Sequence, residues 1–176
     1  DTLPDTTWDA LDELEPSTVH VLGGPDAIDP ALEQALEDDG YDVNRIGGID
    51  RFETAVEIAA EADTGSDTAS VARGTNFPDA LVAGPLTAVG GFPLLLTATD
   101  VLPDVTAAAL DDLGIETVLL AGGPHAVSPE VEGAIEALDI DVQRVFGDTR
   151  YETATAFADW AVANLGFTTN HVNLAT

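Results

Sequence analysis

The chain has 176 residues, 45% of them hydrophobic, and a formal net charge of −28, because 33 Asp and Glu outnumber five basic residues, all arginine. A domain without a basic patch is a poor partner for nucleic acid, and no apolar run here is long enough to insert into a bilayer. The absence of cysteine excludes disulfides and thiolate chemistry.

Hydrophobic periodicity predicts helices and strands that alternate along the first third of the chain. The predicted elements are a helix over 5–14, a strand over 18–22, a helix from 30 to about 40, a strand over 41–46 and a helix from 51 to about 62. Pro30 directly follows Asp29, which is the pattern of a capped helix start. Length favours one or two domains for such a chain.

The same alternation continues to the end of the chain. The predicted elements are strands over 69–72, 93–97, 117–121 and 141–145, and helices over 79–89, 104–113 and 129–138. We expect a kink or break before Pro85 and a cap from Ser128 at the last of these helices. Strands that alternate with helices imply right-handed crossovers, so the predicted fold class is α/β with a mainly parallel sheet.

One pentapeptide occurs twice. Arg51 to Ala55 reads RFETA, and Arg150 to Ala154 reads RYETA, at an offset of 99 residues. In both copies an Asp or Thr stands three residues before the glutamate, Glu53 or Glu152, so each copy predicts a capping box at a helix start. An internal repeat describes a unit of architecture, and each motif in it is read as part of that unit.

Other residues recur at the same offset. The structural pairs are Gly23 and Gly24 with Gly122 and Gly123, and Arg45 with Arg144. The paired glycines follow strands and precede helices, as turn glycines do at the carboxyl edge of a sheet. We predict a complete unit over 45–145, the back part of a unit over 1–44 and the front part of another over 146–176. The chain is therefore expected to be a mature, excised or partial form of a longer protein.

Several motifs stand in a fixed order: GIDRFETA at 48–55, NFPDAL at 76–81, PLLLT at 93–97, LAGGP at 120–124, and Arg144. In this order and spacing they resemble the cell wall-binding repeat 2 family. The resemblance implies Rossmann-like α/β units, typically in threes, that hold a secreted or cell-surface protein on an anionic wall polymer. The implied partners are an envelope polysaccharide or surface-layer glycan, and further repeat units or self-association.

The acid excess has a consequence of its own. At about 1 M salt the Debye length is about 3 Å, against about 10 Å at 0.1 M, so salt removes most of the repulsion among like charges. We therefore hypothesise a halophilic source, with the chain a halophilic archaeal-type member of that family.

Two interpretations remain open for Arg51, Arg73 and Arg150. In the first, each guanidinium is an internal fork that ties a helix to a loop. The carboxylates available for that role are Glu53, Glu152 and Asp79. In the second, the guanidinium faces an anionic glycan, which its rigid set of donors suits.

Three further residues are candidates for ligand binding. Asn76 and Asp79 lie in the loop and helix start that follow the strand over 69–72, where open α/β sheets bind ligands. Core capping and polar recognition both remain open for these two. Thr97, at the end of the strand over 93–97, completes the candidate set.

Catalytic chemistry finds little support. The Gly-Gly-Pro turns lack the spacing of a phosphate-binding loop, and the repeat does not preserve the histidines at 20, 125 and 171. We predict no cofactor, no metal site and no catalytic residue. The favoured function is a non-catalytic cell-surface binding module. The alternatives are an α/β enzyme acting on a nucleotide or sugar, and a purely structural surface-layer building block.

Overall fold

The structure, a computed structural model, describes residues 2–168 and residue 170. The chain divides into two compact units, residues 1–61 and 62–176. The first contains α1 (Asp5–Leu14), β1 (Thr18–Leu22), α2 (Pro30–Asp39), β2 (Asp42–Ile46) and all but the last residue of α3 (Arg51–Ala62). The second contains β3 (Thr68–Arg73), α4 (Pro78–Gly90), β4 (Leu94–Thr97), α5 (Asp104–Asp112), β5 (Thr117–Ala121), α6 (Pro129–Glu136), β6 (Asp141–Val145) and α7 (Arg150–Leu165). His171 and the end of the predicted unit over 146–176 lie outside the described residues.

The described strands form two parallel sheets, one in each unit. In the first unit β1 pairs with β2, and in the second the strand order is β4-β3-β5-β6. Thr18 pairs with Asp42, and Thr117 pairs with Asp141, so both repeats use the same register. The predicted α/β class with parallel sheets is therefore confirmed.

The centre of the second unit is formed by β3 and β5. Their long apolar runs are buried on both faces, as parallel strands covered by helices require. Val71 and Leu120 have no exposed surface. The Ser70 hydroxyl, also buried, donates to the Leu119 carbonyl oxygen at 3.1 Å, so this polar group is satisfied inside the sheet.

Helix α4 packs against α7 and β3. It runs unbroken from Pro78 to Gly90 with Pro85 inside it, so the break considered before Pro85 does not occur. Phe157, on α7, is 1% exposed and belongs to the core cluster between these elements. This packing buries Ala83 and Leu86 of α4, whereas Leu81 and Val89 remain exposed.

The cap expected from Ser128 is only partly present. Ser128 occupies the N-cap position of α6, but its side chain makes no hydrogen bond to the helix amides. The Ser128 side chain is buried, and its backbone N–H donates to the Thr99 carbonyl oxygen at 2.8 Å. Ser128 thus connects α6 to the loop after β4 through its backbone.

The strand order creates a topological switch point in the second unit. β3 leads through α4 to β4 on one side, whereas β5 leads through α6 to β6 on the other. The connections diverge, so a crevice opens at the carboxyl ends of β3 and β5. Open α/β sheets bind ligands at such a crevice.

Candidate functional site

A cleft of about 440 Å³ lies at this crevice. Its walls are formed by Asn76 and the start of α4, by the turn over 123–126, and by residues 146–150 with Thr153. Every wall thus belongs to the second unit and follows the carboxyl end of a strand. The volume lies within the range of about 300–1,000 Å³ that is usual for small-molecule sites.

Gly122 allows the first turn of α4 to approach the turn after β5. Its φ of +109° lies in the left-handed region, and a Cβ at this position would come within 2.9 Å of the Asp79 carboxylate. Only glycine meets both conditions without strain. Gly122 therefore has the turn position that the sequence predicted. Its lack of a side chain also allows Asp79 to reach the cleft.

Arg144, on β6, fixes the opposite wall. Its Nη1 donates to the carbonyl oxygens of Gly122 at 2.9 Å and Val127 at 2.8 Å, and its Nε and Nη2 donate to Glu132 at 3.1 and 2.8 Å. The Arg144 side chain is 10% exposed. It therefore ties β6, the turn after β5 and α6 together from inside the unit.

The first unit repeats this arrangement at Arg45. Its Nη1 donates to the carbonyl oxygens of Gly23 at 2.8 Å and Ile28 at 3.1 Å, and its Nε donates to Glu33 at 2.7 Å. The glutamates at 33 and 132 were missed in the sequence, although they are separated by the repeat offset. Comparing the acids of the two copies at that offset would have identified them.

The pentapeptide glutamates bind backbone amides at the helix starts. In α7, Glu152 accepts from the Thr149 N–H at 2.9 Å, and its own N–H donates to the Thr149 hydroxyl at 3.2 Å, which confirms the predicted capping box. In α3, Glu53 accepts from the Ile49 N–H, and Asp50 accepts from the Glu53 N–H at 3.0 Å. Both glutamates thus support the loop that precedes their helix.

Asp79 lies within electrostatic reach of two of the candidate arginines. Partial burial raises the pKa of the Asp79 carboxyl above its ordinary value, and the positive charges of Arg73 and Arg150 oppose that rise. Asp79, Asn76 and Arg150 line the cleft. Arg73 ends β3, and its Nε is buried without a hydrogen-bond partner among the described residues.

The other two candidates lie elsewhere. Thr97 ends β4 with its side chain buried, and its hydroxyl donates to the Val101 carbonyl oxygen at 3.3 Å. It is not among the residues that line the cleft. Arg51 is the first residue of α3, in the first unit.

Several side chains that line the cleft were not predicted as site residues, among them His125, Phe146 and Asp148. The sequence comparison emphasised positions that the two repeats share. These three differ between the copies, since the first repeat has Asp26, Gly47 and Ile49 at the matching positions. Their difference was the signal that could have found them.

Within residues 2–168 and 170, no cluster of three or more His, Cys, Asp or Glu is arranged to hold a metal ion. In the same residues, none of the helices combines the length and apolar character needed to cross a membrane.

The duplicated motifs form a Rossmann-like α/β frame. The cleft at its switch point is lined in part by His125, Phe146 and Asp148, which differ from the matching residues of the first copy. This combination defines a repeat-built α/β binding module. The chain belongs to the family Cell wall binding domain 2 (CWB2), whose model matches residues 45–132. The resemblance read from the motifs is confirmed.

Known proteins of this kind are similar over much of the chain. It is 36% identical over 152 residues to the amidase enhancer of Bacillus subtilis (strain 168), covering 86% of this chain and 20% of that protein. It is 36% identical over 116 residues to the N-acetylmuramoyl-L-alanine amidase LytC of the same organism, covering 66% of this chain and 23% of that protein. The solved structure of Cwp6 from Clostridium difficile matches with a TM-score of 0.80 at 28% identity, covering 90% of this chain and 26% of that one. The chain thus spans only about a quarter or less of these proteins.

The family places the chain among cell-wall-binding domains, so its general function is binding to a cell wall. The same membership indicates an extracellular or cell-surface protein.

Proposed function

We propose that this chain is a non-catalytic module that holds a secreted protein on an envelope polysaccharide, and that the polymer binds in the cleft of the second unit. The observation that carries this proposal is the position of the cleft. It lies at the switch point of the sheet, between the turn after β5 and the start of α7, and both of these segments contain repeat motifs.

The side chains of the cleft suit a polyhydroxylated ligand. Asn76 offers both an amide donor and a carbonyl acceptor, and Arg150 offers guanidinium donors, whereas the Thr149 hydroxyl is already paired with Glu152. All three residues are exposed. Sugars present closely spaced hydroxyl groups that donate and accept, so a mixed set of this kind can pair with them.

The roles of the duplicated polar residues support binding over turnover. Arg45 and Arg144 hold backbone carbonyls, and Glu53 and Glu152 hold backbone amides. An enzyme needs an acid, a base or a nucleophile free to act on its substrate. These four residues instead stabilise the frame of each repeat.

The proposal also includes the bounds of the repeat units. We retain the unit over 45–145 as the proposed repeat, with partial units over 1–44 and 146–176. Further repeat units, or other copies of the chain, are the proposed protein partners.

Cosedimentation with isolated cell envelopes in molar KCl tests the proposal. The chain is expected to sediment with intact envelopes and to remain in solution after the polysaccharide is removed. Sedimentation that does not depend on the polysaccharide would contradict the proposal and favour a purely structural surface-layer component.

A matched pair of variants then tests the position of the site. Arg150→Gln removes a guanidinium from the cleft, and Arg51→Gln makes the same change at the equivalent position of the first unit. Weaker sedimentation of Arg150→Gln than of Arg51→Gln, at unchanged melting temperature, supports the cleft of the second unit. Equal sedimentation of Arg150→Gln and the unmodified chain would refute that position.

A further inference from the structure

The two repeats differ where the loop after the last strand of each sheet meets the Gly-Gly turn. In the first unit this position is Gly47, and a Cβ there would overlap the backbone of Gly23 and Gly24. The loop and the turn are therefore in direct backbone contact. In the second unit the equivalent position is Phe146, and its ring lies against Gly123 of the turn.

The Phe146 ring lies between the loop and the turn and forms part of the cleft wall. A Cβ at Gly123 would lie 3.0 Å from Phe146 Cδ2, so one side of the ring is against the turn. Phe146 remains 42% exposed. An aromatic surface is thus held at the cleft by backbone packing, and it has no equivalent at Gly47.

The charges around the cleft do not favour an anion. Its lining contains the carboxylates of Asp79 and Asp148, the guanidinium of Arg150 and the imidazole of His125. The positive charges of Arg150 and Arg73 both act on Asp79, so they are partly balanced within the protein. The net charge of −28 further repels a polyanion, especially in low salt.

An aromatic surface beside carboxylate and amide groups suits one ligand class well. The face of an aromatic ring is electron-rich and attracts the polarised C–H groups on the apolar face of a pyranose ring. Carboxylates form strong, charge-assisted hydrogen bonds with hydroxyl donors at the edge of such a ring. Neither contact requires the ligand to carry charge.

We propose that the cleft binds an uncharged pyranose segment of the wall polymer, with Phe146 as the stacking surface and Asp79 and Asp148 as acceptors for its hydroxyl groups. This inference rests on the proposed function and specifies its ligand. Under this proposal the second compact unit binds the sugar because it has Phe146 at the position where the first compact unit has Gly47.

Titration of the 176-residue chain with defined oligosaccharides, followed by NMR and calorimetry, tests the inference. The uncharged probes are the tetramers of glucose and of N-acetylglucosamine, and the anionic probe is a hyaluronan tetrasaccharide. At least one uncharged probe is expected to shift the resonances of the cleft residues. Its affinity is expected to change less than about twofold between 0.1 and 1 M KCl, since screening acts on charged ligands. The anionic probe is expected to bind at least about tenfold more weakly in 0.1 M KCl.

Variants locate the contact. Phe146→Ala is expected to weaken binding of the uncharged probe about tenfold, equivalent to roughly 1.4 kcal/mol. Phe146→Leu keeps an apolar side chain without an aromatic face and is expected to weaken binding in the same direction. Phe77→Ala is the control, because Phe77 is 67% exposed and does not line the cleft. Melting temperatures identify any variant that fails to fold.

Two results would overturn the inference: tighter binding of the hyaluronan probe than of both uncharged tetramers, or no shift of cleft resonances with either uncharged tetramer. Neither result removes the proposed function if the chain still sediments with envelopes through their polysaccharide. Loss of that sedimentation would instead refute the proposed function itself.

Discussion

At the scale of single residues, two arginines stabilise the frame in the same way. Arg45 and Arg144 each reach from the second strand of a pair to two carbonyl oxygens of the preceding turn and to a glutamate on the intervening helix. A guanidinium can do this because its donors are rigidly spaced and point in several directions. A lysine at either position would lose most of these contacts.

Arg144→Gln is expected to lower the free energy of unfolding by about 1.5–3 kcal/mol, the range for hydrogen bonds that involve a charged group. The change leaves the Gly122 and Val127 carbonyl oxygens and the Glu132 carboxylate without their donor. Urea unfolding in molar KCl measures the effect. Arg150→Gln is the control, since Arg150 is exposed and a surface change usually costs about 0.5 kcal/mol or less. Equal midpoints for the two variants would contradict the role given to Arg144.

Asp79→Asn is expected to change how stability depends on pH. Burial raises the pKa of Asp79 above its ordinary value of 3.8, so the folded state binds this proton more tightly than the unfolded state. The stabilisation from proton binding is complete below pH 3.8 and is lost as pH rises through the raised pKa. Asparagine does not titrate, so the stability of Asp79→Asn relative to the unmodified chain should increase over that interval.

Urea midpoints of both proteins from about pH 3.5 to 6 test this prediction, since the interval includes the ordinary Asp pKa. Asp112→Asn, at the exposed end of α5, provides the control for removing one carboxylate. A relative stability of Asp79→Asn that falls with rising pH would show that Arg73 and Arg150 outweigh the effect of burial.

At the scale of elements, the start of α7 connects stability to the cleft. Thr149 caps the helix, lines the cleft and holds the loop that carries Phe146 and Asp148. The N–H of Gly147 also donates to the Thr153 hydroxyl at 3.1 Å, as Gly48 does to Thr54 in the first unit. The loop conformation is therefore set by the helix that follows it.

Thr149→Ala is expected to destabilise the chain by about 1 kcal/mol, because one amide of the first turn loses its acceptor. Thr149→Ser keeps the hydroxyl group and should stay close to the unmodified protein. Thermal unfolding of the three proteins gives the comparison. The cap would be irrelevant to stability if the alanine and serine variants melted together at the unmodified temperature.

At the scale of the whole molecule, the excess of acidic residues sets how stability responds to salt. The net charge of −28 is spread over a chain of 176 residues, so like charges repel each other throughout the folded state. Unfolding separates these charges and relieves the repulsion. Screening by salt therefore stabilises the folded state more than the unfolded state, because the repulsion that salt removes is stronger in the folded state.

The melting temperature is expected to rise as KCl increases from about 0.1 to 1 M, over which the Debye length falls from about 10 to 3 Å. The rise should shrink near pH 4, where many carboxylates are protonated. A scan of thermal unfolding at both pH values measures it. Equal melting temperatures at low and high salt would remove the hypothesis of a halophilic source.

Much of this molecule could be predicted from the sequence because its signals are local or repeated. Strands 18–22, 117–121 and 141–145 were predicted with the bounds that the structure has, since short apolar runs between turns are local patterns. The offset of 99 residues predicted equal frames in the two units, and the equal registers of β1 with β2 and β5 with β6 agree with it. The family could also be predicted, because its motifs are short stretches of sequence in a fixed order.

Only the tertiary structure decided which side chains share a surface. The sequence by itself determined the α/β class, the repeat and the family, because these depend on periodicity and on recurring residues. It could not determine that Asn76, Asp79, Phe146 and Arg150 meet, because they follow different strands and become neighbours only when β3, β5 and β6 align in parallel. Nor could it assign Glu132 to Arg144, since that contact depends on how α6 packs on β6. The cleft is a product of long-range packing, and no local pattern in the sequence encodes it.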